Sequence, residues 1–212
     1  IANGAAPGKI WVIENFLTDE RVRSAPRRPP FASAGVRTVV IVSRIDPIKR
    51  VDLLLDALDR HPELGALSFR ILGSGWDLEK LRARAAERHP NVHFLGFTEA
   101  VAEELAAADL LLHLCPSEPF GLAILEAMAA GVPVLVPDSG GTALLVEEGV
   151  SGGRFRADDA EALAARLREL HDAPAEVLNR WVAGGDRALA TRFSQTERLS
   201  DYERLLAEVE DE

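Results

Sequence analysis

The sequence predicts an α/β domain built on a doubly wound, mostly parallel sheet. Short apolar runs of the kind buried on both faces of a sheet recur along the chain, the first at residues 38–43. Between them lie segments whose apolar residues return at helical spacing. Strand and helix alternate five or six times, and parallel strands need such crossover connections. The 212 residues allow one large or two small domains, and 47% hydrophobic residues suffice for a sizeable core.

In chain order, residues 1–8 read as loop and Ile10, Trp11, Val12 and Ile13 as a short strand. Residues 23–30 hold three prolines and three arginines, a linker composition. After the strand at 38–43, Val51, Leu54, Leu55 and Leu58 mark one face of a helix over 51–60. Residues 67–72 form the next strand, closed by Gly73-Ser74-Gly75. Leu78, Leu81 and Ala85 mark a helix ending near Pro90, followed by a strand at 91–95 and a short helix at 99–107. The central unit has a strand at 109–115, a helix and a strand at 132–136. Phe120, Ile124, Leu125 and Met128 carry the helical spacing. That helix is expected to begin near Pro119 or Phe120, because proline is welcome in a first turn. Gly140-Gly141 opens another helix reaching Val146, and residues 149–155 form a loop and short strand. Asp158 is expected to cap a helix reaching Leu170, with Leu163, Leu167 and Leu170 inward. Residues 177–189 and 196–209 read as two more helices.

Composition excludes several functions. Lys and Arg number 24 against 34 Asp and Glu, a net charge of −10. This argues against nucleic acid or an anionic membrane as a general partner. The single cysteine, Cys115, sits in an apolar strand and reads as core in a reducing, cytoplasmic setting. No apolar run reaches 18 residues, and nothing at the start reads as a signal peptide. The five histidines show no metal-ligand spacing. No Asp-x-Asp occurs that could carry a metal-bound diphosphate, so no metal is expected.

In parallel sheets ligands bind outside the carboxyl ends of the strands, which directs attention to the turn at 117–121. Glu118 and Glu126 bracket the following helix, eight residues apart; one continuous helix would place them on roughly one side. The free amides of a helix N-terminus favour an anion such as phosphate. Glu118 has a plain alternative role as a helix cap. Glu126, inside a largely apolar helix, needs a partner.

The stretch Glu118-Pro119-Phe120-Gly121-Leu122-Ala123-Ile124-Leu125-Glu126, continued by Ala127-Met128-Ala129-Ala130-Gly131-Val132-Pro133-Val134, resembles the EX7E motif of retaining glycosyltransferases of GT-B architecture, family 4 or group 1 type. The resemblance covers nearly all of the chain. It implies a Rossmann-like, donor-binding half of a GT-B fold. Residues 1–37 would be interdomain linker and lead-in, 38–192 the nucleotide-sugar-binding domain, and 193–212 a C-terminal helix crossing back to the other half. An N-terminal acceptor-binding domain would lie outside this chain, and any membrane association would come through that half.

The same resemblance implies roles for single residues. Glu118 and the amides of Phe120, Gly121 and Leu122 would hold the donor sugar, and Glu126 the ribose. Arg44 and Lys49, after the first core strand, resemble the family's Arg-x4-Lys that grips the diphosphate. A guanidinium can grip two phosphate oxygens and an ammonium adds a point charge, which stabilises the leaving group as it departs. With Glu118 they form the catalytic set, Glu118 positioning the sugar and not attacking it. Phe97 or Thr98 would meet the base. Two departures stand out: Arg50 replaces a glycine common after the lysine, and Leu144 replaces a glutamate common after the Gly-Gly pair. The expected reaction moves a glycosyl group from a nucleotide-diphosphate sugar to an acceptor hydroxyl with retention and without a cofactor. A non-catalytic nucleotide-sugar-binding module and a nucleotide-sugar epimerase of the same architecture remain the alternatives.

Overall fold

The structure is a computed structural model and describes residues 10–210. The loop expected over residues 1–8 lies outside them. Six strands form one parallel sheet: β1 (Thr38–Val42), β2 (Ser68–Leu72), β3 (Val92–Gly96), β4 (Leu110–Leu112), β5 (Val134–Pro137) and β6 (Gly153–Phe155). Their spatial order is β3-β2-β1-β4-β5-β6. The order reverses between β1 and β4, which creates a crevice at their carboxyl ends.

Side-chain alternation assigns each strand residue to one of two apolar layers. Val39 and Ile41 of β1, Phe69 and Ile71 of β2, Leu110 and Leu112 of β4 and Leu135 of β5 enter one. Helices α2 (Val51–Arg60), α3 (Leu78–Arg88) and α7 (Ala160–His171) cover it. Val40, Leu72, Leu111, Val134 and Val136 enter the other. It is covered by α4 (Val101–Ala106), α5 (Leu122–Ala129) and α6 (Thr142–Leu145). Helix α8 (Ala175–Ala190) feeds Leu178 and Trp181 into the first layer and Leu189 into the second. The expected inward residues of α2 and α7 are all buried.

Four local expectations are corrected. Ile10–Ile13 is not a strand: it has no ladder partner, and Val12 is 84% exposed. The proline-rich lead-in contains a short helix, α1 (Asp19–Ser24), which the sequence reading missed. Thr18 caps it by accepting from the Arg21 amide. Helix α5 begins at Leu122, not at 119 or 120, because Gly121 takes φ 94° and turns the chain into the helix from a left-handed position. Asp159, not Asp158, caps α7, accepting from the amides of Glu161 and Ala162; Asp158 is itself left-handed at φ 57°.

Leu17, Phe31 and Val36 of the lead-in are buried in the same two layers. Helix α9 (Gln195–Glu210) follows Phe193, which is buried and meets Phe120 edge-on at 6.2 Å. Its apolar residues Leu199, Tyr202, Leu206 and Val209 stay 44–64% exposed. Among the described residues, no helix is long and apolar enough to cross a membrane.

Candidate functional site

The two loops that leave the carboxyl ends of β1 and β4 meet at the crevice. The first runs from Ser43 and closes in a 3-10 turn, Pro47–Lys49. The second runs from His113 to Gly121. Lys49 Nζ reaches across to Glu118 Oε2 at 2.5 Å, and both side chains are largely buried. A buried carboxylate of this kind needs a cation or strong donors, and Lys49 supplies one.

Glu118 is not a helix cap. Gly121 occupies the cap position of α5, and no side chain bonds the first-turn amides. The turn holding Glu118 is fixed from behind by Gly140-Gly141. The Gly141 amide donates to the Glu118 carbonyl at 2.7 Å, and a Cβ on Gly141 would lie 1.7 Å from the Pro119 carbonyl oxygen. These glycines therefore have a packing reason that the sequence did not disclose, and the absence of an acid at Leu144 leaves it intact. Leu144 is 70% exposed.

Arg44 projects from the same crevice with its side chain 73% exposed and, among the described residues, pairs with Asp46 at 3.0 Å. Arg50 takes the left-handed conformation (φ 54°) that a glycine would favour there. Its guanidinium is tied to Asp52 and Asp158. The departure from glycine is thus absorbed locally, and both Lys49 and Arg44 keep their places.

The expected site residues divide between two clefts. A 420 Å³ cleft is lined by Arg44, Lys49, Glu118, Phe120, Gly121 and Leu122, with His113. A second, of 590 Å³, takes in Thr98, Glu126 and Arg21. Both touch Val42 at the end of β1. Glu118 precedes α5 and Glu126 lies within it, as their bracketing of the helix leads one to expect, but the chain is not one continuous helix from residue 118 to 126. One acid lines each cleft, Glu118 ahead of α5 and Glu126 on it. Glu126 is paired with Arg21 of α1 at 2.5 Å, a contact invisible in the sequence because α1 was not foreseen. Thr98 Oγ1 accepts from the Ala100 amide, and Phe97 is 78% exposed.

One residue of the cleft escaped the sequence reading. His113 is buried, and its Nε2 lies 4.0 Å from Glu118 Oε2 with no hydrogen-bond partner. Burial pushes its pKa down to about 4; the Glu118 carboxylate opposes the shift and the Lys49 ammonium assists it. In the sequence it reads, with the other histidines, as structural or surface, because none shows metal-ligand spacing. With Cys115 and Glu118 it is the one group among the described residues close enough to hold a metal ion, though Lys49 already neutralises its carboxylate. Gly149 to Gly153 spell Gly-x-Ser-x-Gly, but Ser151 is buried, accepts from the Glu147 amide and precedes a strand, so it is no nucleophile elbow.

The depressed His113 pKa has a consequence for stability. Between pH 6.5 and 4 the unfolded chain takes up a proton that the folded chain refuses, so stability falls as pH drops through that window. The full effect is roughly 3 kcal/mol. Urea unfolding at pH 7, 5.5 and 4.5 should show it, and His113→Gln should flatten the slope. An unchanged slope in that variant would refute the assignment.

A profile of the family described as "Glycosyl transferases group 1" matches residues 24–187. A D-inositol 3-phosphate glycosyltransferase of Geodermatophilus obscurus is 37% identical over 200 residues, 81% of this chain and 44% of that protein. A phosphatidyl-myo-inositol mannosyltransferase of Mycobacterium leprae is 32% identical over 184 residues, 84% of this chain and 48% of its own length. The chain therefore spans about half the length of the curated relatives it matches. Among solved structures, Anabaena HepE in complex with UDP-glucose superposes with TM-score 0.80 at 24% identity, covering 97% of this chain and 60% of that one. TarM of S. aureus, solved with UDP, gives 0.81 at 21%, covering 96% and 41%. These likenesses establish the Rossmann-like fold of this chain as one found within larger GT-B chains.

Proposed function

The chain belongs to the glycosyl transferases group 1 family, and on that premise we propose that it is the donor-binding half of a retaining glycosyltransferase. It takes a nucleotide-diphosphate sugar and, with an acceptor-binding half, passes the glycosyl group to an acceptor hydroxyl. The observation that carries this reading is the meeting of Lys49 and Glu118 at 2.5 Å across the β1–β4 crevice. A cation suited to a diphosphate beside an acid suited to sugar hydroxyls, at the point where such sheets bind nucleotides, supports the reading.

In this reading the nucleoside lies in the cleft of Thr98 and Glu126, where Glu126 receives the ribose hydroxyls in competition with Arg21. The diphosphate crosses Val42 to meet Arg44 and Lys49. The sugar lies against Glu118 and the amides at the start of α5. As the bond from the anomeric carbon to the phosphate oxygen breaks, negative charge grows on the diphosphate, and the two cations and the helix N-terminus stabilise it. The acceptor hydroxyl attacks from the face the diphosphate leaves and passes its proton to a phosphate oxygen. Glu118 orients the sugar and forms no bond to it. The exposed apolar side of α9 supplies the crossing contact to the other half. We place the activity in the cytoplasm, where the unpaired, buried Cys115 stays reduced.

A thermal-shift panel of nucleotides and nucleotide sugars, UDP and UDP-glucose first, tests this reading. At a concentration about 100 times its dissociation constant, a specific ligand stabilises by roughly 2.7 kcal/mol. No stabilisation by any nucleoside diphosphate or its sugars would sink the proposal. EDTA should leave the shift unchanged, because protein cations do the neutralising. A shift that needs Mn²⁺ or Mg²⁺ would contradict that role for Arg44 and Lys49.

A further inference from the structure

One buried polar atom in the site is used neither by the fold nor by the chemistry proposed above. His113 Nε2 has no partner, although its side chain is only 6% exposed. Buried polar atoms are nearly always paired, so an orphan demands a reason. It faces Glu118 Oε2 at 4.0 Å, beyond hydrogen-bond range, while Lys49 Nζ holds that same oxygen at 2.5 Å. One carboxylate oxygen thus stands between a bonded cation and a neutral ring it does not reach. Cys115 Sγ, within 4.8 Å of both groups, approaches Ser117 Oγ at 3.9 Å and offers the carboxylate only a weak donor.

We propose that His113 is a positioning residue for Glu118: when Lys49 leaves the carboxylate, the His113 Nε2–H takes its place and keeps Glu118 aimed into the cleft. A carboxylate only accepts, so Nε2 carries the ring proton in this exchange. The ring is neutral at pH 7 and serves as donor without competing with Lys49 for the phosphate charge. Closing the gap takes a movement of about 1 Å, within reach of a glutamate side-chain rotation. Without the exchange, Glu118 would be left as a largely buried carboxylate with no protein donor to fix it against the sugar at the moment its geometry matters. The trigger, a diphosphate that draws Lys49 away, rests on the proposed donor-binding function. The exchange itself requires only that Lys49 be withdrawn.

Substitution supplies that withdrawal without any ligand. Lys49→Met keeps the volume of the stem and removes the ammonium. In nitrogen-resolved NMR of this variant, the His113 Nε2–H should appear as a downfield proton exchanging about tenfold more slowly than in the parent chain. Adding Glu118→Ala should abolish that protection. A rise in the His113 titration midpoint alone does not separate the idea from loss of the lysine charge, so the protected proton is the readout. Unchanged exchange in Lys49→Met, or protection that survives Glu118→Ala, would overturn the proposal. Binding gives the second arm. His113→Leu should lower the ratio of UDP-glucose to UDP affinity about tenfold, and His113→Gln, which retains a donor, should restore most of it. If the parent chain binds neither ligand, the donor reading fails while the NMR result still decides the exchange.

Discussion

Lys49→Ala is expected to weaken binding of a nucleoside diphosphate by about 30- to 100-fold, roughly 2–3 kcal/mol, and to leave the free nucleoside untouched. Lys49 is largely buried on a 3-10 turn at the end of β1, so water cannot replace it well. Arg44→Ala should act in the same direction but less, because its guanidinium is mostly exposed and screened by solvent. Calorimetric titrations with UDP and uridine separate the two ligands. The Lys49 variant also leaves Glu118 without its cation, so the ligand-free protein should lose some stability, which unfolding measurements read independently. Equal losses for UDP and uridine would show that Lys49 supports the cleft and does not grip phosphate.

The second large effect concerns Glu118 in a protein that carries both halves. Glu118→Gln should leave nucleotide binding intact and lower the rate of transfer by about 10²- to 10³-fold, the size of effect seen when one oriented transition-state contact is lost. The turn that holds Glu118 is braced by Gly140-Gly141 and by the start of α5, so the amide should sit where the acid does. The loss should therefore fall on the chemical step and not on folding. Glu126→Gln should do the reverse, weakening every ribonucleotide ligand, because its cleft is the one lined by Thr98. Transfer at the parental rate by the Glu118 variant, with unaltered product, would remove Glu118 from the mechanism.

Where local pattern and tertiary demand coincide, the sequence was readable to the residue. Helix α2 spans Val51–Arg60 as its apolar spacing requires, and β1 follows from its run of β-branched residues. The two acids and the Phe120-Gly121 pair between them marked the crevice, because glycine is needed where the chain enters α5 from a left-handed position. What stayed hidden depends on contacts distant in sequence. Helix α1 lies among prolines and arginines and is short; Arg21 acquires meaning only by meeting Glu126, 105 residues away. Asp158 and Asp159 are indistinguishable as caps by type, and backbone conformation chooses between them. His113 carries no distinguishing spacing in the sequence, and only the fold brings its free nitrogen towards Glu118.

The central claim is a division of labour: this half holds the donor, and the acceptor wall lies elsewhere. Transfer requires the reacting atoms to be held within about 3–3.5 Å. The measurement is product formation by the chain alone, and by the chain joined to an acceptor-binding half, using a nucleotide sugar that the chain binds in calorimetry. The account predicts binding in both, transfer only in the joined protein, and no isomerised or hydrolysed sugar from the chain alone. Glycosylation of an acceptor by the 212 residues alone at an ordinary enzymatic rate, about 1–10³ s⁻¹, would contradict it.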